Sequence, residues 1–450
     1  MAFFVLLFKK VNFAPNLLKH SIYLMKHTTT ETIHQKHSIQ DWIAVLSCLM
    51  MIAGMLHARA LVSIGAIALF LNACMPGTIK EHWTTIRKSR LALWSSLFFA
   101  SYLLSGLWSS NTAEWASRIV IKLPFLLLPF GFLSVPVQKL NMLRILIYGI
   151  SGLLLINIGQ SMYTFLQNPG YYIESYGSSK LIPTSIYNDY IRFSLALVLT
   201  TLLNVYLVLE HWTRLTKWDK FLAFFFILVL TGFNHLLATK TGLLGFYIMI
   251  AILGFGKIYT RNKLVAVLFL LSLPILGFLA YLKVPTIHAK IDYVQKEIEQ
   301  ANDPNAALDY NYSDQGRIIS YQLALNIIKE HPVLGVGAGD LKKAMADQYA
   351  VHYPLIPEEN RLIPHNQLLF VMVALGSVLS LIFILMIVQP IFSKGPGAVY
   401  AIATSAVLIF AMMAESMLEV QFGVLVYLFF VLFVWRLRAI NPPAATAAAL

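Results

Sequence analysis

Residues 313–341 read SDQGRIISYQLALNIIKEHPVLGVGAGDL, and residues 364–376 read PHNQLLFVMVALG. The first part has the period of a surface helix. Ser313 and Asp314 are capping-type residues, Ile318, Tyr321, Leu325 and Ile328 recur on one helical face, and Pro332 stops the pattern. Three glycines follow, Gly335, Gly337 and Gly339, and then a second histidine, His365, stands at the head of an apolar run. The stretch belongs to a polar segment, residues 283–364, far longer than any other connection in the chain. Apolar runs lie on both sides of it, so where this segment sits relative to them decides the fold.

The runs are membrane-like. Of 450 residues 58% are hydrophobic and 12% charged, whereas a soluble domain carries about 25% charged residues. A bilayer-crossing helix needs roughly 20 apolar residues. Twelve segments approach this: 42–56, 60–75, 91–109, 119–136, 145–166, 191–209, 221–237, 242–256, 264–282, 366–388, 398–413 and 423–435. Lys122, Pro124, Pro129 and Pro136 mark 119–136 as a broken or interfacial span. The expected fold is an all-α polytopic membrane protein of about 12 transmembrane helices, with a helical cap formed by one long loop. Residues 1–40 are expected as a cytoplasmic tail, 41–282 as the first nine spans, 283–364 as the large loop with amphipathic helices, 365–437 as the last three spans, and 438–450 as a second tail. MAFFVLLFKK places its charges after its apolar stretch, and no small-residue cleavage site follows, so it does not read as a signal peptide. Met25 is a second possible start.

Charge tests this arrangement. The net charge is +13, which in a membrane protein orients loops and does not by itself point to nucleic acid. With a cytoplasmic N-terminus, the inner side holds Lys80, Arg87, Lys88, Arg90, Lys139, Arg144, Arg214, Lys217, Lys220, Lys257, Arg261, Lys263, Lys394, Arg436 and Arg438. The outer loops and helix edges hold Arg59, Arg118, Lys122, Lys180, Arg192 and Lys240. Fifteen against six obeys the positive-inside rule and puts the long loop on the outer face. Cys48 and Cys74 both fall in apolar runs and offer neither a disulfide framework nor metal-ligand spacing.

GVGAGDLKK has no Gly-Lys-Ser/Thr ending and follows no strand, so it is not a nucleotide loop. Gly335, Gly337 and Gly339 read as a helix cap and tight turn with positive φ and close packing. His331, beside Pro332, reads as a helix-end residue.

Together these residues resemble the O-antigen ligase and polymerase superfamily. The resemblance rests on Arg317 opening a helix, His331-Pro332 with Gly335 and Gly337, His365-Asn366 at the mouth of the next helix, and Gly376. LATKTGLLGF, residues 237–246, resembles the family's Ser-Arg-Thr-Gly-like segment, with Lys240 in place of the arginine. The resemblance implies a metal-independent glycosyltransferase without cofactor, and single displacement on an α-linked donor would make it inverting. The resemblance also implies an undecaprenyl-diphosphate-linked glycan as donor, a bacterial inner membrane, and a periplasmic active site.

The residues suit that chemistry. A departing diphosphate needs cations, and Arg317, Lys240, Arg192 and Arg361 are the outer-face candidates. The bland alternatives are interfacial snorkelling and ordinary ion pairing, such as Arg361 with Glu358. His365 suits a general base for an acceptor hydroxyl, and otherwise reads as an interfacial cap. Tyr171, Tyr172, Tyr176, Tyr187, Tyr190, Tyr310, Tyr312 and Tyr321 suit either sugar stacking or an interfacial belt. Glu415 and Glu419, in AESMLEVQFG, form the last outer turn. They can pair with the cations or orient His365, but stand outside the first rank because such acids are more often structural. The first-ranked acceptor is lipid A–core, the ligase reaction. A lipid-linked glycan acceptor makes the chain a polymerase, and a serine or threonine hydroxyl makes it a protein glycosyltransferase. A polysaccharide transporter or flippase is the reading from another class, but the two halves show no matching repeat.

Overall fold

The structure is a computed structural model that describes residues 38–176, 181–184, 189–301 and 313–439. Most of the expected 1–40 tail lies outside the described residues, as do Met25, Lys180, Tyr187, Tyr310, Tyr312 and the C-terminal stretch after residue 439. All regular elements among the described residues are helices.

In chain order they are α1 (Ile39–His57), α2 (Arg59–Ala73), α3 (Ile79–Arg87), α4 (Arg90–Leu104), α5 (Thr112–Lys122) and α6 (Pro124–Gly131). Then come α7 (Leu140–Gln167), α8 (Pro169–Ser175), α9 (Tyr190–His211), α10 (Lys217–Leu237), α11 (Lys240–Tyr259) and α12 (Lys263–Lys283). The long segment supplies α13 (Pro285–Ala301), α14 (Ser313–Glu330) and α15 (Leu341–His352), and the chain closes with α16 (Gln367–Val388), α17 (Ala398–Ala414) and α18 (Gln421–Ala439). Among the described residues, ten helical stretches are long and apolar enough to cross a membrane, with α5 and α6 counted as one stretch. The shorter apolar helices α2 and α17 complete the twelve that the segments predicted.

The α5–α6 stretch is interrupted at Leu123, because Pro124 has no N–H for the helical ladder. Lys122, at the break, is buried and not interfacial. Small residues bring neighbouring helices close: Gly54 lies against Leu61 and Val62, and Gly65 against Ser47 and Met51, which seals the α1–α2 hairpin. α9 and α18 are the central helices. In each, 78% of the apolar window is buried, against 11% for α12 at the edge, as expected of helices apolar on all sides.

Opposite charges tie one end of the bundle together. Lys139 pairs with Asp41 and Arg144 with Asp219, both at 2.6 Å. Thr216 and Asp219 cap α10 reciprocally at that end. At the other end α14 packs on α15 and α16, while α13 reaches α8, α10 and α12.

Candidate functional site

Helix starts carrying the candidate residues meet at the end that bears α13–α15. Each start is fixed by a short polar side chain that accepts an otherwise orphaned backbone N–H. Asp189 accepts from the Arg192 N–H and starts α9. Thr239 accepts from the Gly242 N–H and starts α11 at Lys240. Asn366 accepts from the Leu368 and Leu369 N–H groups and starts α16, leaving His365 just outside the helix. A Cβ at Gly242 would run into Ser194, so the first turns of α9 and α11 touch.

Glu415, the residue after α17, is the hub. His365 Nδ1 lies 3.0 Å from its Oε2, and the Arg192 guanidinium lies 3.8 Å from its Oε1. Arg192 also pairs with Asp189 at 2.9 Å, and its buried Nε has no hydrogen-bond partner among the described residues. Burial pushes the Glu415 carboxyl up. The His365 hydrogen bond and charge, with Arg192 and Arg317, outweigh burial and hold it below the usual carboxylate range. An ionised Glu415 can only accept, so His365 Nδ1 carries the proton and donates it, which leaves Nε2 as the nitrogen with a free lone pair. Both side chains are still partly open, 22% for His365 and 13% for Glu415.

α14 supplies two parts. Arg317 lies close enough for its charge to act on Glu415 and on Tyr190. One turn later the Tyr321 hydroxyl donates to the His365 carbonyl at 3.0 Å, which fixes the backbone beneath the imidazole. Lys240 lies 5.9 Å above the Tyr293 ring of α13, on the α11 start that touches α9. Arg361 has a different place. Its Nε donates to the Ile356 carbonyl at 3.0 Å and its guanidinium lies over Tyr349. It braces its own loop, and the described contacts do not bring it to Glu415. Tyr176 is also structural: it is fully buried, and its hydroxyl donates to the Leu237 carbonyl.

The glycine stretch has its own task. α16 breaks at Gly376 (φ 70°, ψ 179°), which frees carbonyls from the helical ladder. The Val336 N–H donates to the Val373 carbonyl at 2.9 Å and the Gly337 N–H to Ala374 at 3.0 Å, while the Ser377 N–H donates to Pro332. Gly335 and Gly337 adopt the expected positive φ, 65° and 94°. Gly339 does not. It is small because a Cβ would strike the Asn111 carbonyl. Asp340 then accepts from the Ser110 and Asn111 N–H groups, locking the loop to the α4–α5 turn. His331 is exposed after the last turn of α14, as read.

A second cluster lies beneath the hub. Glu419 accepts from Lys122 (2.8 Å), Arg118 (3.2 Å), Gln367 (2.7 Å) and the Tyr102 hydroxyl (3.3 Å). Lys122 is 0%, Arg118 6% and Glu419 4% exposed. Burial would raise the Glu419 carboxyl, but Lys122 and Arg118 hold it down. Sequence reading counted Arg118 as an outer-edge charge and Lys122 as that and as a mark of a broken span, and ranked both acids low. The available signal was a lysine inside an apolar run, which demands a buried partner. Among the described residues no group of three or more His, Cys, Asp or Glu side chains is placed to hold a metal.

Residues 221–384 match the family model described as O-antigen ligase. No curated protein matches the chain. The matched part runs from α10 through the Gly376 break and includes Lys240, Arg317, the glycine stretch and His365, while Arg192, Glu415 and Glu419 lie outside it. The match supports membrane glycosyl transfer of the ligase or polymerase type, from a lipid-linked glycan to a glycan acceptor. Over residues 221–384, which include the candidate base His365, the chain is similar to the O-antigen ligase family.

Proposed function

We propose that the protein is an O-antigen ligase. In this reading it works at the periplasmic face of a bacterial inner membrane and moves a glycan from an undecaprenyl-diphosphate carrier to a sugar hydroxyl of lipid A–core. The observation that carries the reading is the His365–Glu415 pair flanked by Arg192 and Arg317. His365 Nε2 takes the proton of the acceptor hydroxyl as its oxygen attacks the anomeric carbon. The bond from that carbon to the diphosphate breaks, and the lipid diphosphate leaves with the bonding electrons. A single displacement inverts the anomeric centre.

Arg192 and Arg317 hold the diphosphate and offset its growing charge, as preorganised cations do when aimed at a leaving group. Lys240 serves the same group as a point charge. Glu415 keeps the imidazole in one tautomer and stabilises the imidazolium after proton transfer, the role an acid partner plays beside a catalytic histidine. The capped starts of α9, α11 and α16 add their positive dipole ends on the same side. The cations are the proposed substitutes for a metal, so transfer is expected to continue in EDTA.

The test is purified protein with lipid-linked glycan and lipid A–core. Joined product supports ligation. A longer lipid-linked chain in place of it makes the protein a polymerase. His365→Ala should slow transfer by about 10² to 10⁴-fold, the usual contribution of a general base, while donor still binds. Transfer at the parental rate by this variant removes His365 from the chemistry.

A further inference from the structure

We propose that Gln367 and the buried Glu419 cluster are positioning residues that set the geometry of the His365–Glu415 pair. The inference rests on the reading of His365 as general base. Three consecutive residues at the start of α16 are stitched onto one turn, residues 413–419. Asn366 donates to the Met413 carbonyl at 3.1 Å, and His365 meets Glu415 at 3.0 Å. Gln367 does two things with one amide: its Oε1 accepts from the Leu418 N–H at 2.6 Å and its Nε2 donates to Glu419 at 2.7 Å. On the turn, Glu415 is thus bracketed by an anchor on each side, Met413 before it and Leu418 and Glu419 after it.

The turn is held in place from beneath. Lys122 donates both to the Leu418 carbonyl and to Glu419, and Arg118 grips the other Glu419 oxygen. Both cations stand one turn apart on α5, so the turn carrying Glu415 is fixed to a helix that carries no part of the catalytic pair. Arg118 continues to Glu114 at 2.8 Å, and Glu114 to Lys342 of α15 at 3.1 Å. The α4–α5 region, the long segment and the catalytic turn therefore share one network.

Stability alone does not account for the cluster. Burying charges costs desolvation, and a well-packed apolar replacement of such a group is often neutral or stabilising. What apolar residues cannot provide is a unique register, because only directional hydrogen bonds fix Gln367 against Leu418 and Glu419. Register matters here, since a displacement of about 1 Å can cost about 10²-fold in rate.

The experiment compares parent, Gln367→Met, the double variant Lys122→Met/Glu419→Met, and His365→Ala, all full length in proteoliposomes. Methionine keeps the bulk of Gln367 but removes both hydrogen bonds. Gln367→Met should lower kcat by about tenfold or more, leave KM for the lipid-linked donor near parental, and move the acid limb of the pH–rate profile. The double variant, in which Arg118 keeps Glu114, should stay folded yet fall low in kcat. If the folded double variant keeps parental kcat, or Gln367→Met keeps parental kcat and pH profile while His365→Ala is slow, the positioning role is overturned. If His365→Ala is itself parental, the general-base reading fails and the inference falls with it.

Discussion

At the residue scale the site is an argument about one carboxylate. Glu415 is held in its ionised form by Arg192 of α9, Arg317 of α14 and His365 just before α16, and this sets the pH response. Its folded-state pKa is depressed, as is that of Glu419. Each acid therefore adds stability that is fully present above the unfolded carboxylate value of about 4.3 and is lost as pH falls through the lower folded value. Thermal unfolding in detergent should show a flat midpoint near neutrality and a fall beginning below about pH 4. The fall should be shallower in Glu415→Gln. An equal fall in parent and variant would remove Glu415 from the linkage. The same variant should also lower the transfer rate, because the imidazolium formed on proton transfer no longer faces a charge. Sequence placed His365 and Arg192 among the candidates because each is a polar residue at an apolar boundary, and Arg317 because the family resemblance has an arginine opening that helix. Glu415 ranked low because its importance lies in its neighbours, and those are 50 residues away in His365 and far earlier in Arg192.

At the element scale the informative feature is the broken helix. The sequence shows glycines after α14 and a glycine inside α16, and it shows that both suit unusual backbone. It does not show that they solve one problem together, since the hydrogen bonds join residues about 40 apart. Gly376 frees the Val373 and Ala374 carbonyls, and the glycine loop returns their partners. The expected cap over the site is in this part a patch in a helix that carries the base. Gly376→Ala follows as a prediction. The conformation φ 70°, ψ 179° is one that only glycine adopts readily, and a Cβ would overlap the Val333 carbonyl. The backbone strain alone is of order 1–3 kcal/mol, so the variant should unfold at a lower temperature and lose transfer with it. His331→Ala, at an exposed helix end, should change stability by less than about 0.5 kcal/mol. Equal and small effects in the two variants, read by thermal unfolding in detergent, would sink the patch argument.

At the scale of the whole molecule, the twelve apolar helices were legible because hydropathy is a local property, and a bilayer leaves a chain few other choices. Burial order was not legible. α9 and α12 have comparable length and strongly apolar sequences, yet one is central and the other lies at the edge. Neighbours decide that, not composition. The orientation remains to be tested as a proposal, and both charge and geometry motivate it. Lys139, Arg144 and their acid partners gather at one end of the bundle, while the glycine loop, His365 and Glu415 lie at the other. A cysteine in place of exposed Lys343 on α15 should react with a membrane-impermeant thiol reagent in cells whose outer membrane is permeabilised. A cysteine in place of exposed Lys217, at the start of α10, should react only after the inner membrane is opened. The native Cys48 is buried, and Cys74 is removed as Cys74→Ser so that it adds no signal. Labelling of Lys217→Cys alone in unopened cells would invert the chain. It would put the candidate site on the cytoplasmic side, where a periplasmic lipid-linked donor cannot reach His365.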